Sequence, residues 1–72
     1  MPKAEITNQI RRLRFEHGEM TQQELAERAG CSRQTIVLLE QSRYVPSLSL
    51  AMNIARIFDT SVESVFELSK ES

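Results

Sequence analysis

Cysteine and histidine occur once each in this 72-residue chain, as Cys31 and His17. An internal disulfide is therefore impossible, and a zinc site of Cys and His lacks its companion ligands, so no metal or cofactor is expected. Glycine and proline number two each, and no Gly-rich loop that could cradle a phosphate is present. Long apolar runs are missing too. The longest, Ile36 to Leu39, falls far short of the roughly 20 residues that span a bilayer. The opening MPKAEITNQIRRLR holds no apolar signal segment, which makes a cytoplasmic location the default expectation. No histidine–acid pair lies near a nucleophile and the serines read as helix caps, so nothing supports an enzyme.

What is present is an ordinary globular composition with 40% hydrophobic residues. The length allows one domain, residues 1–72, with a core region of about 6–68 and a short acidic C-terminal tail. So small a chain has little room for a ligand cavity, and no small-molecule ligand is evident; a surface that touches a partner is easier to build. The net charge of −1 is unevenly spread. Residues 1–58 carry a net +2 and residues 59–72 a net −3. A mildly basic body permits contact with nucleic acid without requiring it.

Alternating strand patterns and internal repeats are absent, and helical spacing is frequent. The chain reads as all-α, a compact set of five helices. The first runs from about Ile6 to Glu16, with Ile6, Ile10 and Leu13 on one face, and His17-Gly18 ends it. Thr21 followed by Glu24 forms a capping box for the second, which Gly30 stops. Ser32 caps a third, RQTIVLLEQ. Pro46 keeps Val45 out of a helix, and Ser47 caps the fourth, whose core face holds Leu50, Ile54, Ile57 and Phe58. Ser61 caps a last helix, VESVFEL.

Two capped helices joined through Ala29-Gly30-Cys31 make a helix-turn-helix. In the DNA-binding form of that motif the second helix lies in the major groove, its first residues meeting base edges. Here those residues are Ser32, Arg33, Gln34 and Thr35. Arg suits guanine O6 and N7, Gln suits adenine N6 and N7, and Thr suits a polar edge or the thymine methyl. Arg11 and Arg12 read more simply as a solvated helix face, His17 as a partner for a helix terminus, and Cys31 as a small buried apolar residue.

The ordered motifs IRRLR, TQQELAERAG, SRQTI, LE, PSLSLA and IARIF resemble the Xre family of helix-turn-helix regulators, the group that includes phage Cro and phage repressors. The resemblance spans about residues 6–68. It implies that Arg33, Gln34, Thr35 and Leu38 touch bases, and that Gln22, Ser32, Arg43 and Tyr44 touch phosphates. It further implies a partly buried ion pair between Arg14 and Glu40. The connection HGEMTQ is one residue longer than the usual family spacing, and Glu19 is expected to be absorbed there in a loop.

The function so implied is that of a sequence-specific regulator of double-stranded DNA, a homodimeric repressor reading a two-fold symmetric operator. The excess of apolar residues in the last helix, Val62, Val65, Phe66 and Leu68, makes that segment, with residues at the end of the fourth helix, the expected dimer surface. A different class of function stays open: a protein-interaction module of the same fold, an antitoxin or anti-regulator, favoured by the acidic tail and the apolar Val37-Leu38 pair.

Overall fold

The computed structural model describes residues 6–68. In chain order these form β1 (Ile6–Asn8), α1 (Ile10–Glu16), α2 (Gln22–Ala29), α3 (Arg33–Glu40), α4 (Leu48–Ile57), α5 (Val62–Val65) and β2 (Phe66–Leu68). Of the acidic tail, residues 69–72 lie outside the described residues.

Five helices form, but the chain is not all-α. β1 and β2 pair antiparallel, with Ile6 opposite Leu68, Thr7 opposite Glu67 and Asn8 opposite Phe66. Gln9 N then donates to Val65 O at 2.8 Å, extending the tie. The reason lies in the segments' length. Ile6 stands four residues before Ile10, a spacing that suits a helix, yet a three-residue segment with two β-branched side chains suits a strand equally. The last helix is likewise a single turn, and the backbone is already extended at Phe66, φ −117° and ψ 146°.

Caps fix where the other helices begin. Glu24 N donates to Thr21 Oγ1 and Thr21 N to Glu24 Oε1, both at 3.0 Å, closing the capping box. Ser32, Ser47 and Ser61 each accept a backbone amide of the first turn in the same manner. The core collects Ile10, Leu25, Ile36, Leu39, Ile54 and Val65, all essentially without exposure. Ala26, Ala29, Ala51 and Ala55 are buried beside them, small side chains that let α2, α3 and α4 approach closely. Each fully buried large aliphatic side chain contributes about 1.5–3 kcal/mol.

Between α1 and α2 the longer connection is accommodated by two left-handed residues, Gly18 (φ 81°) and Glu19 (φ 57°). They reverse the chain so that Met20 returns into the core at 5% exposure.

Candidate nucleic-acid interface

Arg33 to Glu40 can present one face outward because the opposite face is locked. Ile36 and Leu39 are buried, which sets the rotation of α3 about its axis. Gly30 sets its angle to α2. The glycine is left-handed at φ 78°, and its amide and that of Cys31 both close on Ala26 O, at 2.9 and 3.0 Å. The turn therefore satisfies the end of α2 while reversing the chain. Cys31 is half-buried in it, and that burial pushes its thiol above its ordinary pKa, away from reactive thiolate character.

On the outward side, Ser32, Arg33 and Gln34 are exposed, while Thr35, Val37 and Leu38 are partly so. Ser32 Oγ accepts from Thr35 N at 3.1 Å and shares a hydrogen bond with Thr35 Oγ1 at 3.0 Å. The two hydroxyls are thus engaged in starting the helix, whereas Arg33 and Gln34 are exposed and make no side-chain hydrogen bond among the described residues. Leu38 follows one turn after Gln34 on the same side. Past α3, Ser42 turns left-handed (φ 59°) and delivers Arg43 and Tyr44, both exposed.

Beneath this surface Arg14 holds three elements together. Its Nε donates to Glu40 Oε2 at 2.7 Å, its Nη2 to Glu40 Oε1 at 3.1 Å and its Nη1 to Met20 O at 2.8 Å. Gln22, the first residue of α2, donates through Nε2 to the same Glu40 Oε1 at 3.1 Å. Gln22 is therefore held by the pair rather than free to swing. These residues, with Arg11, Val37 and Gln41, border a cleft of about 350 Å³ beside α3. Among the described residues the ion pairs are Arg12–Glu16 and Arg14–Glu40. Among those residues Arg11, Arg33 and Arg43 are exposed and in neither pair, and Arg11, on the solvated face of α1, also borders the α3 cleft.

Sequence reasoning missed Asn8. Its Nδ2 donates to Leu39 O at 2.6 Å, satisfying a carbonyl of the last turn of α3, while its Oδ1 accepts from Ile10 N at 3.2 Å. One side chain caps the start of α1 and the end of α3. An Asn just before an apolar helical run is the signal available for the first role; the second needs the fold.

The segment expected to form a dimer surface is corrected in one position. Val65 is 1% exposed and belongs to the core, because α5 is a single turn pressed against α4. Val62 and Phe66 pack partly against that core, and Leu68 alone of the four is well exposed. Among the described residues no cluster of His, Cys, Asp and Glu is arranged to hold a metal, and no helix is long and apolar enough to cross a membrane.

Comparison with known proteins gives a consistent picture. Residues 10–65 match the family model described as Helix-turn-helix. An uncharacterized HTH-type transcriptional regulator of Archaeoglobus fulgidus is 52% identical over 52 residues, 72% of this chain and 73% of that one. The uncharacterized HTH-type transcriptional regulator YgzD of Bacillus subtilis is 40% identical over 67 residues, covering 93% of this chain and all of the relative. A crystal structure of a candidate DNA-binding protein from Bacteroides fragilis superposes with a TM-score of 0.74 over 86% of this chain and 98% of that one, at 24% identity, a likeness of fold.

Proposed function

This chain belongs to the Xre-like helix-turn-helix family of transcriptional regulators, not to a family of enzymes, and we propose that it binds double-stranded DNA as a homodimer and represses transcription from a two-fold symmetric operator. The observation that carries the reading is the state of α3. Its inner face is fixed by Ile36 and Leu39, and its first turn offers Arg33 and Gln34 with their polar atoms unengaged.

In this reading α3 lies in the major groove. Arg33 pairs with a guanine edge, Gln34 with an adenine edge, and the Thr35 methyl and Leu38 press on thymine methyls. Gln22, held against Glu40, directs its remaining amide hydrogen to a phosphate, with Ser32, Arg43 and Tyr44 along the same backbone. One helix reads few base pairs, and a second copy about one helical turn away, about 34 Å, supplies the missing specificity. Occupancy of a promoter-overlapping site is enough for repression.

The test is selection of bound duplexes from a randomised pool at moderate salt. A two-fold symmetric motif with half-sites one turn apart supports DNA recognition and dimerisation together. An asymmetric motif keeps DNA recognition and removes the symmetric operator. With folded protein, absence of enrichment shifts the function to the protein-interaction class.

A further inference from the structure

Phe15 is 66% exposed on a helix whose other outward positions are charged. Arg11 stands four residues before it and Arg12 three, so both arginines share its side of α1. Two grooves meet at the ring. One of about 370 Å³ is bordered by Asn8, Gln9, Arg11, Arg12 and Phe15. The other, of about 190 Å³, is bordered by Arg11, Arg14 and Phe15. No aspartate or glutamate borders either groove. Arg12 is partly offset by Glu16 at 3.6 Å, whereas Arg11 is in no ion pair among the described residues. The face is also fixed from behind. Ile10 and Leu13 are buried, Asn8 is bonded to Leu39 O and Ile10 N, and Arg14 is held by Glu40.

We infer that this face of α1 docks a second protein, through an acidic segment of that partner with an apolar side chain beside its carboxylates. The argument is charge complementarity around an aromatic anchor. Aromatic and Arg residues are the ones in which interface energy concentrates, and here a ring lies between cations with no acid bordering the grooves. A partner's apolar side chain covers Phe15 while its carboxylates meet the Arg11 guanidinium. Because α1 is already anchored, little ordering is needed on this side of the contact. A duplex offers phosphates to the arginines but nothing apolar along its backbone for Phe15, so the ring favours a peptide over nucleic acid. Arg33 and Gln34 border neither groove, so docking leaves the outward residues of α3 uncovered. The inference therefore stands apart from the DNA reading.

The experiment is a titration of the isotope-labelled full chain, without DNA, with a synthetic peptide of alternating aspartate and leucine, followed by amide NMR shifts. The amides between Asn8 and Glu16 are expected to move, with affinity falling as salt rises. Phe15→Ala and Arg11→Glu, both at exposed positions, are each expected to weaken binding by about tenfold. Arg28→Glu, the same charge change on α2, should leave it as it was, and a peptide with lysine in place of aspartate should not bind. Spectral dispersion shows that each variant is folded. The inference is overturned if millimolar peptide moves no amide of α1, or if Phe15→Ala and Arg11→Glu bind as the wild type does. Equal loss in Arg28→Glu also overturns it, as unspecific charge attraction. If a duplex moves the Arg11 and Phe15 amides and the peptide does not, the face belongs to nucleic acid. If the free chain self-associates and Phe15→Ala abolishes that, the occupant is a second copy instead.

Discussion

The guanidinium of Arg14 and the carboxylate of Glu40 meet side-on, Nε donating at 2.7 Å and Nη2 at 3.1 Å, with side-chain exposures of 16% and 10%. Bidentate geometry and partial burial make this pair stronger than a surface ion pair and more expensive to break on one side only. Glu40→Gln preserves shape but leaves Arg14 without its counter-charge. We expect a loss of about 1–3 kcal/mol in urea-melt stability, below the loss for a fully buried pair because both side chains keep some contact with water. Unchanged stability would show that the two charges are independently solvated.

The same carboxylate holds Gln22, so its effect on DNA affinity is separable from its effect on stability. Gln22→Ala is expected to weaken binding of all duplexes about equally. In that background Glu40→Gln should add nothing further at a temperature where both variants are folded. If the two effects on affinity simply add, Glu40 does not act by orienting Gln22.

Arg33 and Arg43 are predicted to differ in kind. Arg33→Ala should cost about 1–3 kcal/mol on the preferred site and relax base choice at one position. Arg43→Ala should weaken every sequence alike and reduce the slope of log K against log salt by about one. Retained affinity of Arg33→Ala for the wild-type site would show that the register of α3 on the bases is wrong.

How far the sequence reveals this arrangement depends on whether a feature is local. Thr21–Glu24, Ser32, Ser47 and Ser61 are legible because a cap is decided within four residues, and the turn at Gly30 because a left-handed position so strongly favours glycine. The sheet is not legible, since Ile6–Asn8 and Phe66–Leu68 are strands through each other, across nearly the whole chain. Met20 escapes for a related reason: a lone apolar residue between Glu19 and Thr21 has no periodicity, and only the left-handed pair before it sends it inward. Within the proposed interface, the outward placement of Arg33 and Gln34 follows from the spacing of Ile36 and Leu39, and their proposed role from the chemistry of base edges. That Arg11 flanks α3, and that Asn8 caps it, follows from packing that no short segment encodes.

Asn8 supplies a further check. Asn8→Ala removes the donor to Leu39 O and the acceptor for Ile10 N together. Both partners are partly buried backbone groups, so the expected loss is about 1–3 kcal/mol. Asn8→Asp keeps the acceptor and replaces the donor with a negative charge at the end of α3, where the helix dipole already disfavours one. It should therefore fall below the wild type, while keeping the bond from Ile10 N that alanine loses. Stability equal to wild type in the aspartate variant would mean that the bond to Leu39 contributes nothing.

Gly30 separates conformation from crowding. Its φ is +78°, yet a Cβ built on it would meet no atom within 4 Å. Any penalty for a side chain there is consequently backbone strain rather than a clash. Gly30→Ala should destabilise by about 1–2 kcal/mol, the usual cost of placing an L-residue in the left-handed region. Gly30→Asn should lose less, because asparagine visits that region more readily. If alanine and asparagine lower the urea midpoint equally, strain is not what makes glycine necessary. If alanine leaves the midpoint unchanged but reduces DNA affinity, the turn relaxes to another geometry and α3 shifts with it. The pair of substitutions thus reports on whether the angle between α2 and α3, on which presentation of Arg33 and Gln34 depends, is set at this one residue.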